Sequence, residues 1–369
     1  MRSLEYAHAL PEVPCGSDRG APEQAEESCR GGWYGDFVTG LAIIGGGSWG
    51  TALSCVLAPR FERVRLWVNE PDLAARMQET RINDIFLPGI PIPGSVQVET
   101  SLEKALADAD VVLSVMPSHV ARQVYTRMLP WLTPGMRIVS ASKGLESGTL
   151  LRVSEVIRSM TGPEYRIAVL SGPTFAQEAA AGSPTALVIA SEDESLVREM
   201  QSGFSGPTFR AYGSCDPVGV EIGGALKNVI AIGAGISDGL GLGHNAVAAL
   251  ITRGLAELTR LAVALGAKPE TMSGLAGLGD LVLTCTGDLS RNRQVGLKLA
   301  AGLELGRILE STPQVAEGVK TTSVAMELAA RHGVDLPIVA EMHAVLNMGR
   351  SPGEAIKRLM GRSLRSETG

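Results

Sequence analysis

A glycine-rich turn near the start of the chain places the tightest limit on its fold. Residues 41–53 read LAIIGGGSWGTAL, in which Gly45, Gly47 and Gly50 have the spacing G-x-G-x-x-G between an apolar run and a helical pattern. The first glycine allows a tight turn, the second lets the backbone approach a pyrophosphate, and the third lets the helix pack on the strand. The motif therefore predicts a dinucleotide-binding α/β domain, with a glycine turn that binds nothing as the alternative.

Strand and helix patterns alternate from residue 41 to about residue 212. The predicted strands are short apolar runs at 41–44, 64–68, 111–115, 137–141, 167–170, 185–190 and 208–212. Helical stretches lie between them at 51–57, 71–80 and 119–129. This alternation predicts a Rossmann-type α/β domain with a mostly parallel sheet and crossover helices.

Only helical patterns follow residue 212. Asp216 and Pro217 predict the N-cap and first turn of a long apolar helix that ends near Gly235. Further helices are predicted at 246–265, 294–301, 303–310, 319–332, 337–347 and 352–360. We therefore expect a Rossmann domain at 39–212 and an all-α substrate-binding domain at 213–369. The acidic, aperiodic residues 1–38 are expected to form a flexible extension.

Composition excludes several classes of partner. The chain has 33 basic and 39 acidic residues, a net charge of −6, which argues against nucleic-acid binding and against attraction to anionic lipid. No run approaches the roughly 18 apolar residues of a membrane-spanning helix, and no secretory signal is evident. The five cysteines and five histidines lack metal-ligand spacing, so we expect no metal site. Unpaired cysteines and the missing signal favour a cytoplasmic location.

The end of the second predicted strand should read the adenosine ribose. Glu70 lies twenty residues after Gly50, and its carboxylate could accept hydrogen bonds from a ribose 2′-hydroxyl while repelling a 2′-phosphate. The alternative for Glu70 is a solvated residue at a helix start, since Pro71 follows it.

Other predicted strands end in residues suited to a substrate. Ligands bind beyond the carboxyl ends of parallel strands, and there the chain carries Ser142-Lys143-Gly144 and, further on, SGPTFAQE at 171–178. Lys143 could bind an anionic substrate near the nicotinamide, although a surface lysine is the alternative.

The long apolar helix contains a lysine among glycines, in the run EIGGALKNVIA at 221–231. Gly223 and Gly224 share the helix face of Lys227 and cost about 1 kcal/mol each relative to alanine, which is understandable if backbone or ligand must come close. A partly desolvated lysine has a lowered pKa, which suits proton transfer. Helix packing by the glycines, with Lys227 directed outward, is the alternative.

A second glycine-rich segment carries further polar groups. LAGLGDLVLTC at 275–285 delivers Asp280, and SRNR at 290–293 offers a planar guanidinium from Arg291 for phosphate oxygens. Ser290 and Asn292 add neutral hydrogen-bonding groups, although capping of a helix would also explain the SRN run.

Together these motifs resemble the NAD(P)-dependent sn-glycerol-3-phosphate dehydrogenase family of bacterial type. The matching strings are GGGSWGTAL, SKG, SGPTFAQE, VEIGGALKNVIAIGAGISDGLGLG, LAGLGDLVLTC, SRNR and AEGVKT, and they span nearly all of the chain after residue 40. The resemblance implies reversible reduction of dihydroxyacetone phosphate to sn-glycerol 3-phosphate for phospholipid synthesis. It also implies that Lys227 carries the catalytic proton.

The motifs and the resemblance assign two sets of contacts. Expected cofactor contacts are Gly45, Gly47, Ser48, Trp49, Gly50, Asn69, Glu70, Lys143, Ala176, Arg291, Val315 and Glu317. Expected substrate contacts are Lys143, Gly172, Thr174, Lys227, Asn228, Asp280, Thr284, Ser290, Arg291 and Asn292.

One departure from the family pattern concerns the cofactor. Many relatives carry His-Arg after the second strand, whereas this chain has Asn69-Glu70. Because this arginine is missing, we expect NADH to be preferred over NADPH.

Two rival functions are consistent with parts of the pattern. A related two-domain reductase of the ketopantoate or β-hydroxyacid type would bind a carboxylated ketone, and a non-catalytic dinucleotide-sensing protein would need only the nucleotide site. We also expect a homodimer from the apolar helical domain and the family resemblance.

Overall fold

The computed structural model describes residues 40–310, 317–364 and 366–367 of the chain. The expected extension at 1–38 and the expected cofactor contact Val315 lie outside the described residues.

Ten strands lie in the N-terminal part of the described chain. They are Gly40–Ile44 (β1), Arg63–Trp67 (β2), Ile82–Asn83 (β3), Leu87–Pro91 (β4), Val96–Glu99 (β5), Val111–Ser114 (β6), Arg137–Ser140 (β7), Arg166–Ser171 (β8), Thr185–Ala190 (β9) and Phe209–Ser214 (β10). Eight of them form one sheet in the order β10-β9-β8-β7-β6-β1-β2-β5, while β3 and β4 form a separate antiparallel pair.

Strand β1 lies at the point where the sheet order reverses. It pairs in parallel with both β2 and β6. The chain passes from β1 to β2 and β5 on one side of β1, and then crosses to β6 on the other side. The carboxyl ends of the strands open a crevice at such a point, which is where doubly wound sheets bind ligands. The sheet is parallel except between β8 and β9, and β10 runs parallel to β9.

The helices of the sheet part cover its two faces. They are Ser48–Leu57 (α1), Pro71–Thr80 (α2), Leu102–Leu106 (α3), Ala121–Met128 (α4), Val153–Thr161 (α5), Ala176–Ala180 (α6) and Glu194–Phe204 (α7). Local sequence sets several of their ends. Pro71 begins α2, and the Asp193 carboxylate accepts hydrogen bonds from the first backbone N–H groups of α7.

The C-terminal part of the described chain is helical. Its helices are Pro217–Gly239 (α8), His244–Ala264 (α9), Pro269–Met272 (α10), Asp280–Thr286 (α11), Arg291–Ala300 (α12), Leu305–Glu310 (α13), Glu317–His332 (α14), Pro337–Asn347 (α15) and Pro352–Met360 (α16), with a π-helical turn at Leu275–Gly279. Helix α8 is capped by Asp216, whose carboxylate accepts a hydrogen bond from the Gly219 N–H, and it is the buried centre of this part.

The predicted fold class is confirmed. Each predicted strand is present within two residues of its expected bounds, but β3, β4, β5 and several short helices were not predicted. These elements give weak patterns because β4 contains two prolines and β5 is a four-residue edge strand.

Helix α8 extends beyond its predicted end near Gly235 to Gly239, because glycine serves close packing there. A Cβ atom on Gly235 would lie 2.0 Å from the carbonyl oxygen of Arg293 in α12. By length and composition α8 could also cross a membrane, but its 18-residue apolar stretch is entirely buried inside the protein.

Candidate active site

The glycine turn has the geometry that a dinucleotide pyrophosphate needs. Gly45 has φ +130°, and a Cβ atom on it would lie 2.3 Å from the carbonyl oxygen of Val115. A Cβ atom on Gly50 would lie 1.9 Å from the carbonyl oxygen of Gly45, so this glycine allows α1 to pack on the strand. Gly47 caps α1 and faces open space, which leaves room for a phosphate at the helix N-terminus.

A cavity of about 850 Å³ runs from this turn to the helical part. The buried indole Nε1 of Trp49 has no hydrogen-bond partner in the structure, so a polar donor is available beside the turn. The volume, the open glycine turn and this donor fit a nicotinamide dinucleotide.

The cavity collects most of the expected site residues. Those that line it are Gly45, Gly47, Ser48, Trp49, Asn69, Glu70, Lys143, Thr174, Ala176, Lys227, Asn228, Asp280, Thr284, Ser290, Arg291, Asn292 and Glu317. Gly50 and Gly172 do not line it. Gly172, at φ +152°, instead packs against β9 and accepts a hydrogen bond from Lys143 through its carbonyl oxygen.

Lys227 is held at the floor of the cavity by two polar groups. Its Nζ donates hydrogen bonds to Asp280 Oδ1 and, over 2.9 Å, to Thr284 Oγ1. The lysine side chain is 7% exposed and the aspartate 1% exposed. Lys227 therefore lies inside the protein, which excludes the alternative of an outward-directed surface lysine.

A second lysine shares the same carboxylate. Lys143 Nζ donates to Asp280 Oδ2 over 2.7 Å and to the carbonyl oxygen of Gly172 over 3.1 Å. Burial and, to a lesser extent, the charge of Lys143 lower the pKa of Lys227 from 10.5 to about 7, against the opposing effect of Asp280. A lysine with this pKa can both donate and accept a proton near neutral pH.

The two glycines before Lys227 admit backbone and side chains from other elements. A Cβ atom on Gly223 would lie 2.6 Å from the carbonyl oxygen of Ala276, in the π-helical turn before Asp280. A Cβ atom on Gly224 would lie 2.5 Å from Ser171 Oγ and 3.7 Å from Lys143 Cγ. Both glycines therefore bring Asp280 and Lys143 close to α8.

Arg291 opens into the cavity from the start of α12. Among the described residues, Glu317 is the one charged side chain that acts on Arg291, and none of them accepts a hydrogen bond from its guanidinium. Burial raises the pKa of Glu317 to about 7, although the Ser118 N–H and nearby cations oppose this rise. Arg291 thus has free donors for an anionic ligand.

Neighbouring amides are fixed by each other. Asn292 Nδ2 donates to Asn228 Oδ1 over 3.0 Å, and the Gly318 N–H donates to Asn292 Oδ1 over 3.1 Å. Ser290 is the N-cap of α12 and accepts a hydrogen bond from the Arg293 N–H, so the capping alternative holds for this serine, which also lines the cavity.

The sequence did not reveal several cavity residues. Leu289, Gln123 and Arg127 line the cavity, and the last two come from α4 beside the predicted ribose position. No motif marks them, because apolar residues in loops and polar residues on exposed helix turns are common in any fold.

Comparison with known proteins identifies the relatives of this chain. Residues 40–197 match the family model described as NAD-dependent glycerol-3-phosphate dehydrogenase N-terminus, and residues 216–357 match the model of the corresponding C-terminus. A protein of Koribacter versatilis named glycerol-3-phosphate dehydrogenase [NAD(P)+] is 55% identical over 89% of this chain and 98% of its own length. One of Geobacter metallireducens with the same name is 51% identical over 89% and 99%.

A solved structure agrees with these matches. The crystal structure of glycerol-3-phosphate dehydrogenase from Coxiella burnetii superposes with a TM-score of 0.85 at 41% identity, covering 88% of this chain and 99% of that one.

Proposed function

Because the chain belongs to the NAD-dependent glycerol-3-phosphate dehydrogenase family and is an NAD(P)-dependent oxidoreductase, we propose that Lys227 carries the proton in its reaction. The chain interconverts dihydroxyacetone phosphate and sn-glycerol 3-phosphate. The observation that carries the proposal is the buried Lys227 ammonium, paired with Asp280 at the floor of the cavity.

Bound NAD(P)H supplies the hydride for reduction of the ketone. Negative charge then develops on the carbonyl oxygen, and Lys227 stabilises that charge and donates the proton. In the reverse direction, neutral Lys227 accepts the hydroxyl proton. Asp280 holds the lysine in place by accepting its hydrogen bond at Oδ1, and Thr284 supports it from the next helical turn.

The substrate phosphate is the proposed ligand of Arg291, with Asn228 and Asn292 beside it. The support is a guanidinium that opens into the cavity and two amides held in fixed orientation. Holding the phosphate makes the reacting carbon a fixed target for the hydride and for Lys227. Lys143, which contacts the same carboxylate as Lys227, is proposed to bind both cofactor and substrate.

Replacing Lys227 tests the proposed proton transfer. We expect Lys227→Ala to lower kcat at least about 100-fold, the lower end of general acid–base effects, in NADH oxidation with dihydroxyacetone phosphate. Lys357→Ala, which removes an exposed lysine from α16, is the matched control and should keep normal turnover. Near-normal turnover of a folded Lys227→Ala variant, checked by far-UV circular dichroism, would contradict the assignment.

Replacing Arg291 tests the phosphate contact. We expect Arg291→Ala mainly to raise KM for the ketone, because the interaction is present in both ground and transition states. Carboxylated ketones provide the comparison: faster reduction of these than of dihydroxyacetone phosphate would favour a ketopantoate-type reaction. Cofactor binding without any turnover would favour a sensing role.

A cytoplasmic location and a homodimer are further proposals. Cys55, Cys215 and Cys285, the cysteines of the described part, are free thiols, which supports a reducing compartment. The dimer rests on the family resemblance, and size-exclusion chromatography with light scattering would test it.

A further inference from the structure

A cation lies at the ribose end of the cavity, where the local sequence shows none. Arg127 reaches it from α4, and its Nη1 donates to Asn69 Oδ1 over 3.2 Å. Its guanidinium carbon lies 5.2 Å from the centroid of the Trp67 ring. Trp67, Asn69, Glu70 and Arg127 all line the same end of the cavity.

This position matters because of the fold. In a doubly wound sheet the residues just after the second strand face the adenosine ribose, and an arginine nearby accommodates a 2′-phosphate. Here β2 ends at Trp67 and is followed by Asn69 and Glu70, neither of which is cationic. Arg127 belongs to the crossover after β6 and reaches the same place from the other side of β1.

The guanidinium is positioned and still has donors available. Asn69 takes one N–H and the Trp67 ring supports the cation, which limits the orientations of a long side chain. A guanidinium has five N–H donors in a planar fork that matches phosphate oxygens. Glu70 at the same end opposes a 2′-phosphate, so the two side chains act in opposite directions on NADPH.

We propose that Arg127 determines cofactor specificity by binding the 2′-phosphate of NADPH. The inference rests on the proposed function only in locating the dinucleotide in this cavity. NADH use depends on the glycine turn and on Glu70, whereas NADPH use depends on Arg127.

Direct binding separates this inference from catalysis. Titration calorimetry would compare 2′,5′-ADP with 5′-AMP on the wild-type chain and on Arg127→Ala. We expect the variant to bind 2′,5′-ADP at least about tenfold more weakly, a difference of about one charge-assisted contact, and 5′-AMP within about threefold of wild type. Arg127→Lys should keep part of the 2′,5′-ADP affinity because it keeps the charge.

Arg122→Ala is the matched control. Arg122 lies on the same helix, but its guanidinium binds Glu146 over 2.7 and 2.9 Å and does not line the cavity. This variant should bind both nucleotides as the wild type does. Equal losses of affinity for 2′,5′-ADP and 5′-AMP in Arg127→Ala would show that Arg127 contacts only the part that both nucleotides share, and would overturn the proposal. Unchanged affinity for 2′,5′-ADP would overturn it as well.

Steady-state kinetics with both cofactors complete the test. We expect Arg127→Ala to lower kcat/KM for NADPH at least about tenfold and that for NADH less than about threefold. Glu70→Gln should raise kcat/KM for NADPH, because it removes the charge that opposes the 2′-phosphate. A wild-type chain that reduces no ketose phosphate would contradict the proposed function, whereas selective loss of 2′,5′-ADP binding would still support the role of Arg127.

Discussion

Lys143, Asp280 and Lys227 form one hydrogen-bonded chain, in which one carboxylate accepts from both lysines. Burial favours neutral Lys227, and the charge of Lys143 acts in the same direction, while Asp280 favours the ammonium. The pKa of about 7 results from this opposition, so either form of the lysine is accessible at neutral pH. Reduction needs the ammonium and oxidation needs the amine.

The pH dependence of the two directions follows from this pKa. We expect kcat/KM for ketone reduction to fall as the pH rises through about 7, and kcat/KM for glycerol 3-phosphate oxidation to fall as the pH decreases through it. Asp280→Asn removes the charge that keeps Lys227 protonated. The alkaline limb of reduction should therefore move about 1–3 units lower, measured as a pH profile of initial rates.

Glu317→Gln distinguishes the two groups that titrate in the cavity. The pKa of Glu317 is also raised to about 7, so its ionisation could produce a similar limb. We expect the alkaline limb of the pH profile for ketone reduction to remain in this variant, even if cofactor affinity changes. Loss of the limb in Glu317→Gln, with no movement in Asp280→Asn, would assign the titration to Glu317.

At the scale of elements, a buried ion pair fixes α8 against α5. Glu221 of α8 accepts hydrogen bonds from Arg152 Nη1 over 2.6 Å and from the Ser154 N–H over 2.9 Å, at the first turn of α5. The side chains of Glu221 and Arg152 are 5% and 17% exposed. Because α8 carries Lys227 and α5 belongs to the sheet part, this contact helps to set the position of the lysine.

Removing the cation should destabilise the fold. We expect Arg152→Met to lower the free energy of unfolding by about 3–5 kcal/mol, since a buried carboxylate loses its partner. The loss should be greater at about pH 8 than at about pH 5, because an unpaired buried glutamate takes up a proton as the pH falls. Urea unfolding at both pH values measures it.

Two further variants control for this effect. Arg152→Met combined with Glu221→Gln should recover much of the lost stability, since no buried charge remains. Arg198→Ala breaks an exposed pair with Glu194, whose side chains are 69% and 68% exposed, and should cost less than about 1 kcal/mol. A loss from Arg152→Met no larger than that from Arg198→Ala would show that the buried pair has little influence on stability.

For the molecule as a whole, the active site joins the sheet part to the helical part. Lys143 follows β7, whereas Asp280 and Lys227 belong to α11 and α8. The two parts also share an apolar cluster. It packs Val169, Val188 and Ala190 of the sheet against Val220 and Ala276 of the helical part. These links couple the stability of the two parts.

We therefore expect one cooperative unfolding transition. Three tryptophans, Trp49, Trp67 and Trp131, report the sheet part, whereas Trp33 lies outside the described residues. Far-UV circular dichroism is dominated by the helices. The two signals should change at the same denaturant concentration. NADH at 100 times its Kd should raise the free energy of unfolding by about 2.7 kcal/mol and move both midpoints to higher denaturant concentration together. Separate midpoints would contradict the coupling.

Local patterns in the sequence determined the glycine turn, the strand series and the long helices, because strand, turn and helix signals depend on residues a few positions apart. The lysine among helix glycines was also recognisable, since its setting is a short run of α8. The antiparallel pairing of β9 with β8 was not recognisable from the sequence, because strand direction depends on how distant segments pair.

Tertiary structure alone decided which charges meet. Asp280 is 53 residues from Lys227 and 137 from Lys143, so no local spacing shows that one carboxylate serves both lysines. Likewise, Arg127 lies 58 residues from Asn69 and belongs to another crossover. Electrostatic effects act through space over a few ångströms, and only the folded chain brings such residues within that distance.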